Sequence, residues 1–251
     1  MKLHGALGSS GTLRVRIALN LKGIGYEAAS ALREKTVGRP LDRRCPPVES
    51  CDPCHEKMTG IGATPSLPYL EDHGDLVLQS LAILDYLDEI HPFPPFLPPH
   101  PVERARVRAI AQMLAVDLHP LVSPRAYAYL ISTGLASTGL GGTGLGGTGH
   151  GDGREDEFLH DWTAHWLEQG FGTVEEFLDA SPHTGRFCHG NAPTLADICL
   201  VPEVLLAQAR GFDLTPYPKM RRIYQDCIGL EAFACAIAER RKPEMPSLQE
   251  A

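Results

Sequence analysis

SSGTLRVRIAL, residues 9–19, joins a short β-type segment to a helix. The preceding residues Lys2–Leu7 have a strand pattern, whereas the apolar residues of Leu13–Leu21 recur at near-helical spacing. Gly23 follows, and glycine commonly ends a helix because it adopts the left-handed backbone conformation without strain. We therefore predict a strand followed by a helix, with the paired serines at the point where the helix begins.

Downstream of this helix the chain again alternates between strand and helix patterns. Tyr26–Leu32 predicts a second strand, and a hairpin is predicted where Ser66–Leu70 and Asp75–Leu78 flank the turn Asp72-His73-Gly74. Ser80–Ile90 then predicts a helix. The order βαβ, an irregular segment and ββα indicates a small mixed sheet that is covered by helices.

A proline-rich stretch separates this first half from the rest of the chain. Six of the ten residues from Pro92 to Pro101 are proline, which fixes φ and removes the amide donor that a helix or a central strand needs. We predict a stiff linker at residues 92–101. It joins an N-terminal domain, residues 1–91, to an all-helical domain, residues 102–251.

The second half has helical patterns and a repeat. The predicted helices are Val102–Leu130, Glu155–Leu178 and Thr194–Arg210, with shorter helices after Pro218 and Leu230. Thr194 and Asp197 have the spacing of a capping box. Residues 133–152 repeat a five-residue unit, TGLAS TGLGG TGLGG TGHGD, so we predict a flexible low-complexity insert over residues 132–153.

The composition is that of a globular protein, with 43% hydrophobic and 22% charged residues. A formal charge of −8 argues against a nucleic-acid partner, because such a partner requires a basic surface. No apolar run approaches the ~20 residues that a membrane crossing requires, and the start of the chain lacks a secretory signal. Seven scattered cysteines favour free thiols, so we expect a cytoplasmic protein.

The order and spacing of several motifs resemble one family. The most specific motif is SSGTLRVRIAL itself, which is similar to a signature of two serines followed by RVRIAL. The supporting motifs are Leu67-Pro68-Tyr-Leu, Gln79-Ser80-Leu-Ala-Ile, Tyr86-Leu-Asp-Glu, Glu103-Arg-Ala-Arg-Val-Arg-Ala, Asp117-Leu-His-Pro120, His165-Trp166, Pro193-Thr-Leu-Ala-Asp197 and Leu200-Val-Pro. Together they resemble the zeta class of the cytosolic glutathione transferases. The resemblance implies an α/β thioredoxin-like N-terminal domain, an all-α C-terminal domain, an active-site cleft between them and a homodimer.

The resemblance also implies an activity, the glutathione-dependent cis–trans isomerisation of maleylacetoacetate, maleylpyruvate or a close analogue in the catabolism of aromatic compounds. The substrate would be a small dicarboxylate keto acid. Glutathione would be a cofactor whose thiolate adds to the conjugated double bond and is eliminated after rotation. Two alternatives are a glutathione transferase or dehalogenase that consumes glutathione, and a non-catalytic binding protein of the same fold.

The resemblance places Ser9, Ser10 and Gly11 in the glutathione site. Ser9 is the first candidate for stabilising the thiolate and Ser10 is the second, because the start of a helix offers unpaired amides and a partial positive charge to an anion. The alternative is that both serines only cap the helix. Gly11 stands where many zeta-class members have cysteine.

Two further pairs match the glutathione site of the family. Leu67–Pro68 matches a cis-proline that presents the backbone of the preceding residue to glutathione, although a strand-edge proline is the alternative. Gln79–Ser80 begins a helix and would hold the γ-glutamyl carboxylate through the Ser80 hydroxyl and the helix amides. A simple N-cap is the alternative for this pair.

In the helical half the resemblance places His119 and Ser123 near glutathione. Arg125 and Arg210 are candidates for binding the substrate's carboxylates, because arginine forms paired hydrogen bonds with a carboxylate. Ser123 is the second residue of a pair that is Asn-Asn in the family, and Arg210 lies one residue later than the arginine of the isomerases. A structural histidine and solvated arginines are the alternatives.

Cys51-Asp-Pro-Cys54-His55 has the spacing of a c-type haem attachment motif, and with Cys45 it could form part of a zinc site. Haem attachment is typical of exported proteins, and zinc requires a fourth ligand. We therefore favour an unligated or redox-sensitive loop, and we assign no metal to the active site.

Overall fold

The computed structural model describes residues 1–30, 67–133, 135 and 154–239. The cysteine-rich segment with Cys45, Cys51, Cys54 and His55 lies outside the described residues, and so does most of the low-complexity insert. The interpretations of these two segments therefore stay predictions.

The N-terminal half contains a mixed four-stranded sheet. Its strands are β1 Lys2–Gly5, β2 Glu27–Ser30, β3 Tyr69–Asp72 and β4 Asp75–Leu78. They lie in the order β2-β1-β3-β4, in which β1 and β2 are parallel and the other two neighbouring pairs are antiparallel. The β3–β4 hairpin turns at His73 and Gly74, which both have positive φ. The predicted hairpin and the thioredoxin-like α/β organisation are confirmed.

Helices make up most of the remaining described chain. They are α1 Ser10–Lys22, α2 Ser80–Ile90, α3 Pro101–Gln112, α4 Pro124–Ser132, α5 Arg154–Asp179, α6 Leu195–Ala209, α7 Pro218–Ile228 and α8 Glu231–Glu239. The first helix is buried along most of its length, because it contacts α2, α6 and α8 as well as the sheet. It ends as predicted at Gly23, which has a φ of 66°. Gly5 permits its close approach to β1, since a Cβ there would lie 2.4 Å from the Thr12 side chain.

The prediction of one long helix over Val102–Leu130 is wrong. Helix α3 passes into a π-helical segment, Met113–Leu118, and the chain then turns before α4 begins at Pro124. Two prolines explain the break, because proline lacks the amide donor and its ring clashes with the preceding turn of a helix. Pro120 lies in the turn, and Pro124 occupies the first helical position of α4, where the missing amide has no cost.

The predicted capping box at the start of α6 is confirmed. The backbone N–H and the hydroxyl of Thr194 both donate to Oδ2 of Asp197 at 2.8 Å, and the backbone N–H of Cys188 donates to Oδ1 at 2.8 Å. Asp197 is fully buried, so these bonds replace those that water would make. The loop before α6 is therefore attached firmly to the helix.

The proline-rich stretch is packed against both halves of the chain. Two residues of the stretch, Phe96 and Leu97, are buried in the protein core. The Lys22 ammonium lies 4.1 Å from the centre of the Phe96 ring. The Phe96 carbonyl accepts the N–H of Leu195 at 2.9 Å, which joins the stretch to α6. Within the described residues no helix has both the length and the apolar character that a membrane crossing needs. The domain limits at residues 91 and 102 stay predictions.

Candidate active site

A cleft of about 880 Å³ lies between the sheet half and the helical half. It contains most of the residues that the sequence nominates, although they come from segments far apart in the chain. Those residues are Ser9, Gly11, Leu67, Pro68, Gln79, Ser80, His119, Ser123 and Arg125. The structure therefore brings most of the glutathione candidates and one of the two substrate candidates, Arg125, to a single site.

Ser9 is the N-cap of α1 and also lines the cleft. Its Oγ accepts the backbone N–H of Thr12 at 3.2 Å, and its backbone is extended, as an N-cap requires. Capping uses a lone pair of the hydroxyl oxygen, so the hydroxyl proton can still be donated to an anion in the cleft. Ser10 is buried inside the first turn and does not line the cleft. Position therefore favours Ser9 over Ser10 as the hydroxyl donor.

Gly11 packs against Pro68, whose peptide bond with Leu67 is cis as expected. A Cβ at position 11 would lie 2.9 Å from Cδ of the proline ring and 3.6 Å from Oγ of Ser9. A ring carbon cannot swing away as the end of a flexible side chain can. The glycine therefore suits the close packing of the cleft wall at this point.

A second helix N-terminus opens on the cleft at Gln79 and Ser80. Gln79 has a φ of 69°, a conformation that residues other than glycine rarely adopt and that costs roughly 1–3 kcal/mol. Such strain is concentrated at functional sites. Ser80 is the first residue of α2, and its Oγ accepts Nη1 of Arg14 at 3.3 Å. The cleft therefore receives the positive ends of two helices, α1 and α2.

A buried ion pair joins the two halves beneath this cleft. Nη2 of Arg14 lies 2.6 Å from Oε1 of Glu203, whose side chain is 0% exposed, and Nδ1 of His119 lies 3.1 Å from the same oxygen. Burial raises the pKa of Glu203, but the hydrogen bonds and charges of His119 and Arg14 outweigh it and hold that pKa below its usual range. The carboxylate thus fixes two residues of the cleft wall in place.

Sequence reasoning missed Arg14, Glu203 and Tyr129. An acid such as Glu203 within the apolar stretch Ile198–Leu206 indicates a buried cationic partner, and that signal was available. Tyr129 lines the cleft although its side chain is 65% exposed, and no spacing in the sequence marks it.

Two candidates from the helical half, Ser123 and Arg125, line the cleft but differ in whether their polar groups already have partners. Ser123 lines the cleft as the N-cap of α4, but its hydroxyl already donates to the Pro120 carbonyl at 2.9 Å. Arg125 is exposed in the same wall and has no ion-pair partner among the described residues.

Arg210 lies in another cavity, of about 590 Å³. It is the C-cap of α6, and its Nη1 donates to the hydroxyl of Tyr127 at 2.9 Å while the guanidinium covers that ring at 4.7 Å. The structure therefore does not bring Arg210 together with Arg125.

Comparison with known proteins agrees with this geometry. Residues 3–95 match the family model described as the glutathione S-transferase N-terminal domain. Maleylacetoacetate isomerase of Rhizobium meliloti (strain 1021) is 34% identical over 94% of this chain and 94% of its own. Maleylpyruvate isomerase of a Ralstonia species is 31% identical over 93% and 94%.

Solved structures agree as well. The holo structure of a maleylpyruvate isomerase, a bacterial zeta-class glutathione S-transferase, has a TM-score of 0.77 at 31% identity and covers 98% of this chain and 100% of its own. Maleylacetoacetate isomerase of Methylobacterium extorquens AM1, solved with malonate and glutathione bound, has a TM-score of 0.74 at 33% identity with coverage of 98% and 100%. The chain therefore belongs to the zeta class of the glutathione transferases.

Proposed function

We propose that the protein catalyses the glutathione-dependent cis–trans isomerisation of a small dicarboxylate keto acid of the maleylacetoacetate or maleylpyruvate type. One observation carries the proposal. Ser9, which caps α1, Ser80 at the N-terminus of α2 and the exposed Arg125 all line one cleft. This set can stabilise a thiolate and carboxylates at the same time.

The residues present fit glutathione. The tripeptide carries two carboxylates and a thiol, and a volume of about 880 Å³ lies within the range of small-molecule sites, roughly 300–1,000 Å³. Ser80 and the N-terminus of α2 would hold a carboxylate, and Ser9 with the N-terminus of α1 would hold the sulfur. A free thiol has a pKa of about 8.5. If the surroundings of Ser9 lower the pKa of the glutathione thiol to about 6.5, most of that thiol is ionised at neutral pH.

When bound, glutathione supplies a nucleophilic sulfur that adds reversibly to the substrate's conjugated double bond and so permits rotation about it. The chain's own residues would orient the substrate. We propose Arg125 as the residue that binds a substrate carboxylate and stabilises negative charge that develops on the conjugated system. Tyr129 offers an apolar ring beside it in the same wall. Arg210 is not proposed for this role, since its guanidinium is held by Tyr127 in another cavity.

The proposal extends to a homodimeric assembly, which the family resemblance implies, and to a cytoplasmic location, which the scattered cysteines favour. Size-exclusion chromatography with light scattering tests the assembly. A mass near twice 27.3 kDa supports the dimer, and a mass near 27.3 kDa contradicts it.

An ultraviolet assay of isomerisation with a parallel measurement of free thiol tests the activity. With maleylacetoacetate and maleylpyruvate tested side by side, we expect conversion that requires glutathione and leaves its concentration constant over many turnovers. The reason is that the sulfur is released in every cycle. Stoichiometric loss of thiol would instead favour the transferase or dehalogenase, and calorimetry without glutathione binding would favour the non-catalytic binding protein.

Replacing Arg125 by glutamine is expected to raise KM for the dicarboxylate by roughly 10- to 100-fold, because a hydrogen bond to a charged group contributes about 1.5–3 kcal/mol. Initial rates over a range of substrate concentrations measure KM and kcat. Arg125→Lys keeps the positive charge but cannot form the paired hydrogen bonds of arginine, so its KM should lie between those of the wild type and Arg125→Gln. Arg221→Gln, an exposed arginine outside the cleft, is the matched control. An equal rise in KM for the control would contradict the role of Arg125.

A further inference from the structure

Two histidines and a glutamate form a cluster outside the cleft. Oε1 of Glu103 lies 4.0 Å from Nδ1 of His183, and Oε2 lies 3.6 Å from Nε2 of His189. One potential ligand atom from each of the three residues lies within 4.8 Å of the other two. None of the three residues lines the cleft, so the proposed isomerase activity gives the cluster no role.

The two histidines are brought side by side by a tight fold of the loop between α5 and α6. Gly190 donates its N–H to the carbonyl of His183 at 2.9 Å. A Cβ at Gly185 would lie 2.4 Å from the carbonyl oxygen of Gly190, so only glycine permits this crossing of the backbone. As a result the two imidazole rings are nearly parallel, with centres 5.4 Å apart.

The loop is also attached to the helix that carries the glutamate. Arg106, one turn beyond Glu103 on α3, donates from Nη1 to the Cys188 carbonyl at 2.8 Å and from Nη2 to Oγ1 of Thr184 at 2.8 Å. The N–H of Cys188 is bound in turn by the buried carboxylate of Asp197. The three side chains therefore project from a backbone that is already fixed, which lowers the entropy that binding an ion would cost.

We propose that Glu103, His183 and His189 form a binding site for a divalent transition-metal ion of the Zn²⁺ type. In a tetrahedral zinc site, bond lengths of about 2.0–2.2 Å place the ligand atoms about 3.3–3.5 Å apart. The nitrogens of His183 and His189 lie 4.0 and 3.6 Å from the two Glu103 oxygens, and one ligand atom of each residue lies within 4.8 Å of those of the other two. Side-chain rotations would bring the three ligand atoms to the separations of a zinc site. Three protein ligands leave a fourth position for water.

The type of ligand selects the class of ion. Imidazole nitrogen suits Zn²⁺, Cu²⁺ and Ni²⁺, whereas Mg²⁺ and Ca²⁺ prefer sites made of oxygen atoms. The single carboxylate balances part of the ion's charge. A bound ion would connect the start of α3 to the loop that precedes α6, and so would stabilise the helical half.

Zinc binding to the full chain, prepared without a histidine tag, tests the proposal. Calorimetry with ZnCl₂ is expected to show a site that His183→Ala, His189→Ala and Glu103→Gln each weaken. We expect the histidine variants to weaken it by more than about 100-fold, because loss of even an outer-shell partner typically costs about 10- to 100-fold. Zinc should also raise the Tm of the wild type and not that of the histidine variants, while MgCl₂ should do neither.

Two controls separate this site from other sources of zinc binding. His73→Ala removes an exposed histidine of the β3–β4 turn and should leave the affinity unchanged. A Cys45→Ser/Cys51→Ser/Cys54→Ser variant should retain the site. With Co²⁺ as the probe, nitrogen and oxygen ligands give visible bands without the near-ultraviolet charge-transfer band of a thiolate ligand.

Three results would overturn the proposal. They are zinc affinity that survives in both histidine variants, affinity lost in the cysteine variant alone, and no binding by a wild-type chain whose circular dichroism shows that it is folded. Because every readout is independent of turnover, a failed activity assay would not affect the conclusion.

Discussion

Ser9→Ala should lower kcat for glutathione-dependent isomerisation by about 100- to 1,000-fold, the usual effect of removing one preorganised donor from a developing or bound anion. The hydroxyl of Ser9 lies at the N-terminus of α1 in the wall of the cleft, and capping leaves its proton free for donation. Steady-state kinetics together with the pH dependence of turnover measure the effect. The pKa of bound glutathione should rise in the variant, so the activity that remains should increase with pH.

Ser9→Gly separates the hydroxyl from the helix cap. Alanine at an N-cap costs about 0.5–2 kcal/mol of stability, whereas glycine costs only a few tenths. We therefore expect the glycine variant to keep nearly the stability of the wild type in urea but to lose activity as the alanine variant does. Ser9→Thr retains the hydroxyl and should retain much of the activity. Wild-type turnover in the glycine variant would remove Ser9 from the mechanism.

Glu203→Ala should lower the free energy of unfolding by about 3–5 kcal/mol, because it leaves Arg14 buried without its counter-charge. Urea denaturation followed by circular dichroism measures this loss. Glutathione affinity should also fall, since Glu203 holds His119 and Arg14, and both line the cleft. Glu176→Gln, at an exposed position of α5, is the matched control and should change stability by less than about 0.5 kcal/mol.

A double variant, Arg14→Met with Glu203→Leu, tests whether the stability lost in Glu203→Ala comes from the unpaired charge of Arg14. Since replacing both members of a buried ion pair with apolar residues is often neutral, the double variant should be more stable than Glu203→Ala. Its affinity for glutathione should remain low, because the hydrogen bonds to Ser80 and His119 are still absent. Equal stability of the single and double variants would contradict the importance of the unpaired charge.

The acid dependence of stability provides a further check on Glu203. Its pKa is lower in the folded protein than in the unfolded chain, so its contribution is present above the unfolded value and is lost as pH falls through the folded one. The difference in stability between the wild type and Glu203→Gln should therefore shrink below about pH 4.5, the ordinary value for glutamate. A difference that stays constant down to pH 3 would argue against a charged Glu203.

Several elements could be predicted because their signals lie within a few residues of one another. The end of α1 at Gly23, the β3–β4 hairpin, the limits of α2 and the capping box at Thr194 all follow from such local patterns. Where local signals competed, the prediction was wrong. The apolar periodicity of residues 102–130 concealed the break that Pro120 and Pro124 impose.

The candidate site was predicted in part. The resemblance supplied Ser9, Gln79 and Arg125 and ranked Ser9 ahead of Ser10, but it kept Ser10 as a candidate although that residue is buried and does not line the cleft. Arg210 shows a second limit, because a shift of one residue on a helix rotates a side chain by about 100°. Its guanidinium consequently packs on Tyr127 in another cavity.

The sequence by itself determined the limits of those helices and strands that begin or end at a cap or a tight turn, because neighbouring residues set those preferences. It also determined the class of protein, through motifs in a particular order. Only the tertiary structure decided that Arg14 and Glu203, which are 189 residues apart, form a buried ion pair. It likewise placed Glu103 beside the two histidines of a later loop. Such contacts depend on the packing of distant segments, which no local spacing of residues encodes.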